Sequence, residues 1–164
     1  MFFKPRVEMR EPELEREIKI MSRIEETGLR ARIRVPELRG IVVSGEKGET
    51  AVGFLMSLII SPESGHDLQS QAFWALPELH KKWEEQVTAI TKELHAHGIV
   101  WGDVNPTNVI IDEAMDAWVI DFGGMNNVEF VDEDKRETVE GDWQGISRLF
   151  HDWLPSRVKG SEIH

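Results

Sequence analysis

The feature that most constrains this chain is a pair of short apolar runs flanked by acidic and amide side chains. Residues 109–111 and 117–120 predict a tight β-hairpin. Asp103 and Asn108 precede its first strand, and Asp121 follows its second. Because a hairpin returns the chain to its starting edge, we expect Asp121 to lie beside Asn108. Three oxygen-bearing side chains then meet in one place, and oxygen atoms are the ligands that Mg²⁺ prefers.

Charge and composition narrow the classes of function. The 164 residues include 19 Lys and Arg against 30 Asp and Glu, a formal net charge of −11. Such a charge disfavours unspecific binding to nucleic acids and to anionic membranes, so we expect neither nucleic acid nor a membrane as a partner. The absence of cysteine excludes disulfides, thiolate zinc sites and a thiol nucleophile.

No run reaches the ~20 apolar residues that span a bilayer, and the first residues lack the apolar core of a signal peptide. We expect an intracellular protein, cytoplasmic or nuclear.

Hydrophobic periodicity predicts strands near the start of the chain and mostly helices after it. The pattern predicts strands at residues 2–4, 38–43 and 50–60. It predicts helices over residues 11–26, 77–97 and 142–153. Residues 61–70 have the composition of a linker, and Pro155 is expected to end the last helix. This order of elements predicts an α+β fold with a small sheet in its first part.

The motifs of residues 101–124 resemble those of the protein-kinase-like family. The catalytic loop of that family reads H-R-D-L-x-x-x-N, and its metal motif reads D-F-G. This chain has W-G-D-V-N-P-T-N and an intact D-F-G that begins at Asp121, at the spacing of the family. The resemblance implies that Asp103 accepts the proton of a substrate hydroxyl. It also implies that Asn108 and Asp121 hold the Mg²⁺ ions that bridge the phosphates of ATP.

The resemblance extends toward the start of the chain. Glu17 lies on the apolar stripe of the first predicted helix, where a carboxylate needs a cation. It is similar to the αC glutamate of the family, and Lys4 in F-F-K would be the β3 lysine that pairs with it and positions the phosphates. Lys4 and Glu17 therefore join Asp103 as expected catalytic residues. The hinge that contacts the adenine would comprise Met56, Ser57 and Leu58.

The resemblance also extends beyond the metal motif and covers most of residues 2–154. Asp142 is similar to the αF aspartate that braces the backbone of the catalytic loop. The implied fold is bilobal and protein-kinase-like. Residues 1–60 would form an abbreviated N-lobe, with β3, αC and the β4–β5 hairpin. Residues 61–164 would form a shortened helical C-lobe, with αE, the catalytic loop, D-F-G and αF.

The chain departs from the family pattern at several positions. Trp101 replaces the histidine that packs against the phenylalanine of D-F-G. Gly102 replaces the arginine that follows, so control through a phosphorylated activation loop is not expected. Asn105 replaces the lysine of the catalytic loop. No G-x-G-x-x-G precedes Lys4, and residues 124–141 contain no A-P-E.

Three functions are compatible with these observations. The first is an ATP- and Mg²⁺-dependent phosphotransferase that transfers the γ-phosphate to a protein Ser or Thr hydroxyl. The second is a catalytically weak or inactive pseudokinase that acts as a binding or regulatory module, an alternative that the missing glycine-rich loop favours. The third is a small-molecule kinase, because Gly102 before Asp103 resembles the H-G-D loop of aminoglycoside and choline kinases. The expected partners are a nucleotide and either a protein substrate or a regulatory protein.

Overall fold

The computed structural model describes residues 1–7, 10–48 and 50–161 and has an α+β fold, as predicted. Its strands are β1 (Phe2–Pro5), β2 (Leu38–Ser44), β3 (Thr50–Met56), β4 (Val109–Ile111) and β5 (Ala117–Val119). Its helices are α1 (Glu11–Glu26), α2 (Gln71–Trp74), α3 (Pro77–Ala96), α4 (Val139–Ser147) and α5 (Leu154–Ser161). None of the helices in the described part of the chain is long and apolar enough to cross a membrane.

The first three strands form one antiparallel sheet with β3 at its centre. The register of β1 on β3 sets Phe2 opposite Met56 and Lys4 opposite Phe54. β2 pairs with the other side of β3, with two shifts of register. Lys4 therefore lies on a strand at the edge of the sheet.

Helix α1 forms where its sequence supplies both the start signal and the apolar stripe. Pro12 and two acidic residues occupy the first turn. The proline removes no hydrogen bond there, because the first N–H groups of a helix have no acceptor within it, and the helix dipole favours the negative charges. The residues buried on its inner face are Leu14, Glu17, Met21 and Ile24. Three of these residues are apolar and recur at helical spacing. The fourth, Glu17, shares their face of the helix and therefore places a carboxylate on the side that packs inward.

Strand β3 ends earlier than predicted, at Met56 rather than at residue 60. The backbone N–H of Ser57 donates to the carbonyl of Glu37 (2.9 Å), and the Ser57 hydroxyl accepts from the Glu37 N–H (2.9 Å). Beyond this pair the chain leaves the sheet, and Leu58 and Ile60 are exposed. The apolar run therefore supplies both the end of a strand and an irregular connection to the helices.

The final helical region begins earlier and ends later than predicted. Thr138 caps α4, because its hydroxyl accepts from the N–H of Gly141 (3.0 Å). A π-helical stretch, Arg148–Trp153, follows α4 and leads into α5. Pro155 does not end the helix because it lies in the first turn of α5, where its missing N–H removes no required hydrogen bond. The π-helical stretch before it already departs from the α-helical pattern of backbone hydrogen bonds.

The hairpin of β4 and β5 is attached to α3, the longest helix of the described residues. The indole of the buried Trp83 donates to the carbonyl of Met115 (2.9 Å) in the hairpin turn. Gln86 accepts from the N–H of Ala117 (2.8 Å) and donates to Asp116 (2.7 Å). These bonds fix the hairpin on the helix and, with it, the two loops at its open end.

Candidate active site

Lys4, Glu17 and Asp121 meet at the centre of a cleft between the sheet and the hairpin. The Lys4 ammonium lies 2.6 Å from the Glu17 carboxylate and 3.1 Å from that of Asp121. β1 supplies the lysine, α1 supplies the glutamate, and the aspartate follows β5. Three segments that are far apart in sequence therefore place their charges within contact of one another.

The charges in this cluster shift one another's ionisation. Burial lowers the pKa of Lys4, but the carboxylates of Glu17 and Asp121 outweigh it, so the pKa is raised overall. Burial, followed by the charge of Asp121, raises the pKa of Glu17, and Lys4 opposes both effects. The lysine is thus held firmly as a cation, and the nearly inaccessible Glu17 depends on it as a partner.

The carboxylate of Asp103 is held by two amide side chains of its own loop. Asn108 Nδ2 donates to Asp103 Oδ2 (2.8 Å) and to its carbonyl (2.9 Å), and Asn105 Nδ2 donates to Oδ1 (3.1 Å). Burial, followed by the charge of Asp121, raises the pKa of Asp103 to about 7, although the two amides oppose this. A carboxyl group with such a pKa exchanges protons readily near neutral pH, as a general base must.

The hairpin brings Asp121 back to Asn108, as the sequence predicted. Strand residues Val109 and Val119 are paired, and the N–H of Ile120 donates to the carbonyl of Asn108 (3.1 Å). Asp121 has a φ of 62°, a conformation that a residue with a side chain rarely adopts. Such backbone strain is concentrated at functional sites, where the surrounding structure enforces it.

The buried carboxylate of Asp142 braces the backbone before Asp103, as its resemblance to the αF aspartate implied. It accepts from the N–H groups of Trp101 and Gly102, both at 2.8 Å, and lies 2.7 Å from His95 Nε2. The indole of Trp101 is fully buried and donates to the carbonyl of Ile120 (2.9 Å). The loop and the D-F-G strand are therefore tied to α4, α3 and each other.

An apolar slot lies at the sheet end of the cleft, with a volume of about 80 Å³. Its walls come from β1, the segment after β3 and the hairpin, and include Phe2, Met56, Ser57, Leu58, Ile110 and Ile120. A second cavity of the same volume lies on the polar side and is lined by Lys4, Glu17 and Asp121 among others. An apolar slot beside a polar pocket that contains a lysine and carboxylates suits a molecule with a flat ring and a metal-bound phosphate chain.

The oxygen atoms near Asp121 suit a magnesium ion that is shared with phosphates. Because the Asn108 side chain donates to Asp103 through Nδ2, its amide oxygen can serve as a metal ligand together with the Asp121 carboxylate. Mg²⁺ commonly takes one or two carboxylates from the protein and completes its shell with phosphate and water. No group of three or more His, Cys, Asp or Glu side chains within the described ranges could hold a metal. The phosphates would therefore be needed as ligands.

Comparison with known protein families agrees with this geometry. Residues 5–163 match the family model of the RIO domain. The chain belongs to the RIO-domain family. This family is part of the atypical protein-kinase-like superfamily of ATP-binding phosphotransferases, which confirms the resemblance inferred from the sequence. No curated protein matches the chain.

The structure of this RIO domain adds site residues that sequence reasoning did not identify. Phe2 lines the apolar slot, although its position near the start of the chain carried no signal for that role. Asn105, which replaces a lysine in the family pattern, restrains Asp103. Arg16 reaches both the catalytic loop and D-F-G. Gly102, which occupies the usual place of an arginine, was the one signal that could have prompted a search for such a residue.

A larger groove of this RIO domain lies away from these residues. It has a volume of about 670 Å³ and lies between α3 and the segment before β2. Its lining includes Arg32, Arg34, Lys82, Glu85, Gln86 and Glu93. Several of these side chains are already paired, for example Arg34 and Lys82 with Asp116. Size alone therefore does not identify the functional site, and the convergence of Lys4, Glu17 and Asp121 is the stronger indication.

Proposed function

We propose that this RIO domain is an ATP- and Mg²⁺-dependent phosphotransferase that transfers the γ-phosphate to a Ser or Thr hydroxyl of a protein. The observation that carries the proposal is the contact of Lys4 with both Glu17 and Asp121, in the cleft that also contains Asp103. Residues 1–60 would act as the abbreviated small lobe and residues 61–164 as the shortened large lobe. The nucleotide would lie between them.

Each site residue has a role that follows from its surroundings. The adenine would enter the apolar slot beside Met56, Ser57 and Leu58. Lys4, kept in place by Glu17, would bind phosphate oxygens as a fixed positive charge. Asn108 and Asp121 would hold Mg²⁺, which when bound neutralises charge on the phosphates. The proposed roles therefore depend on all three segments that place charged side chains in the cleft, namely β1, α1 and the segment after β5.

The transfer step would use Asp103 as the proton acceptor. As the hydroxyl oxygen of the acceptor bonds to the γ-phosphorus, the bond from that phosphorus to the β–γ bridging oxygen breaks. The hydroxyl proton passes to the carboxylate of Asp103, and the products are a phosphoester and ADP. The amides of Asn105 and Asn108 keep the carboxylate in one orientation during this step.

The acceptor side of the cleft supports a polypeptide as the substrate. Met125 and Val128, which follow the D-F-G motif, are exposed. A protein loop that carries the acceptor hydroxyl could pack on these apolar side chains.

A nucleotide-binding measurement and a transfer assay test the proposal. Mg-ATP at about 100 times its dissociation constant should stabilise the fold by roughly 2.7 kcal/mol, and Asp121→Ala should abolish that shift. Transfer of ³²P from ATP to a protein mixture should fall by roughly 10²–10⁴ in Asp103→Asn. Asp134→Asn, an exposed substitution on the segment before α4, serves as the matched control and should change neither result.

The same experiment separates the competing functions. A nucleotide-dependent shift without transfer to any acceptor would support a pseudokinase instead. Transfer to hydroxylated small molecules but not to proteins would support a small-molecule kinase. If the wild-type chain shows no shift at millimolar Mg-ATP, the proposal is wrong.

A further inference from the structure

Arg16 connects α1 to the catalytic loop and to D-F-G. Its Nη2 donates to the carbonyl of Val100 (3.2 Å), and its Nη1 donates to the carbonyls of Trp101 (3.3 Å) and Phe122. Its Nε lies 2.9 Å from the carboxylate of Glu137, just before α4. One guanidinium therefore binds four groups on three separate segments.

Two glycines leave the space that this arrangement occupies. Gly102 and Gly124 have φ values of 81° and 84°, in the left-handed region that side chains disfavour. A Cβ at position 102 would lie 2.7 Å from Arg16 Nη2, and a Cβ at position 124 would lie 2.5 Å from Glu137 Oε1. Both glycines flank the catalytic motifs. A side chain at either position would collide with Arg16 or with Glu137 at the place where these two residues meet.

Glu137 is held on a backbone that presents its carboxylate to Arg16. Its φ is 52°, and its N–H donates to the side-chain oxygen of the buried Asn126 (2.9 Å). The next residue, Thr138, caps α4. The backbone that carries this carboxylate is thus held in place on the short segment between D-F-G and α4, while the Glu137 side chain itself is half-exposed.

We propose that Arg16 is a positioning residue that holds Glu17 and Asp121 in their working arrangement, with Glu137 as its anionic partner. This inference rests on the proposed function. Arg16 adjoins Glu17 on α1, and its carbonyl partners adjoin the segments that carry Asp103 and Asp121. Because the partner is a carboxylate of the chain itself, the site is assembled without phosphorylation of this segment.

The fork of the guanidinium explains why an arginine serves this role. Its planar donors point in fixed directions and can reach several acceptors at once, whereas an ammonium is a compact point charge. Arg23 provides a matched comparison on the same helix. It donates to the carbonyl of His97 (2.6 Å), another backbone acceptor before the catalytic loop, and within the described part of the chain it makes no hydrogen bond to the D-F-G motif.

The test compares the steady-state kinetics of Arg16→Ala with those of Arg23→Ala, per mole of folded protein. Arg16→Ala should lower kcat on the order of tenfold to a hundredfold, because misplaced reacting groups cost rates of that size. The KM for ATP should rise as well, because Glu17 and Asp121, which Arg16 positions, hold the lysine and the Mg²⁺ that would bind the phosphates. Arg16→Lys should recover part of the rate, and Glu137→Gln should lower kcat less than Arg16→Ala does. Equal kcat values for the two alanine variants would overturn the inference.

Two further measurements keep the inference separate from the proposed function. If the wild-type chain transfers no phosphate, the proposed function fails, and hydrogen exchange then tests the positioning role without nucleotide. Residues 11–26 and 121–124 should exchange faster in Arg16→Ala than in Arg23→Ala, and equal exchange in the two variants would count against the role. Mass spectrometry of active wild-type protein should show the unmodified mass. Activity confined to a phosphorylated form would contradict the part assigned to Glu137.

Discussion

The two sides of the cleft differ in how the fold holds their site residues. On the hairpin side, Asp103 is bonded to two amides, and the backbone before it is bonded to the buried Asp142. On the sheet side, Lys4 lies on an edge strand whose neighbours Phe2 and Phe3 are 46% and 45% exposed. The first side is organised by buried hydrogen bonds, and the second by a few charge contacts. The catalytic loop should therefore tolerate substitution less than the strand that carries the lysine.

Among the substitutions of polar site residues, the largest loss of stability is expected from Asp142→Ala on the hairpin side. The substitution leaves the N–H groups of Trp101 and Gly102 without their buried partner, at about 1–3 kcal/mol for each unsatisfied group. Urea unfolding should show a loss of about 3 kcal/mol or more. Asp134→Ala on the exposed segment should stay within about 0.5 kcal/mol of wild type. A loss below about 1 kcal/mol for Asp142→Ala would mean that this brace contributes little.

A smaller loss of stability is expected from Lys4→Met on the sheet side. The substitution leaves the carboxylate of Glu17 buried without its cation, but the lysine and Asp121 are partly exposed, so we expect about 1–2 kcal/mol. Adding Glu17→Leu should recover most of this loss, because both charges are then removed. A double-mutant cycle by urea unfolding measures the coupling, and additive losses would show that the two residues act independently.

Loss of the proton from Asp103 should make the ligand-free protein less stable as pH rises. Its pKa is raised from 3.8 in the unfolded reference to about 7, so the folded state binds the proton more tightly. The stability from this group is full below about pH 4 and is lost as pH rises through about 7. The charged groups that act on it are Asp121, which raises its pKa, and Lys4, which lowers it.

Thermal melts between pH 5 and pH 8 in EDTA measure this dependence, with Asp103→Asn compared with Asp134→Asn. The Asp103→Asn variant should show a flatter dependence of Tm on pH than either wild type or the control. Parallel curves for all three proteins would contradict the raised pKa.

The smallest effect is expected at the exposed edge of the sheet. Phe3→Ala should cost less than about 1 kcal/mol, because its ring is nearly half exposed. Phe54→Ala, on the neighbouring strand, should cost about 3–5 kcal/mol because Phe54 is fully buried. Similar losses at the two positions would show that the edge strand contributes to stability as much as the centre of the sheet does.

Much of the fold and of the site could be predicted because the signals were local. Helix α1 and the hairpin were placed by periodicity and turn residues, and the hairpin alone brings Asp121 to Asn108. The end of β3 was placed wrongly, because an apolar run does not show where a sheet edge stops pairing. Pro155 was also misjudged, because its effect depends on whether it lies in the first turn of a helix or in its interior.

The sequence by itself determined the RIO domain's central motifs, the chemistry of their side chains and the short-range turn that brings them together. The tertiary structure decided which distant groups complete the site. Arg16 donates to carbonyls that lie 84 to 106 residues further along the chain, rather than to the carboxylate of the adjacent Glu17. A local pattern specifies a turn or a helix face through nearby residues, whereas such contacts depend on how whole elements pack. That packing is why Phe2, Arg16 and Glu137 became visible only in the folded chain.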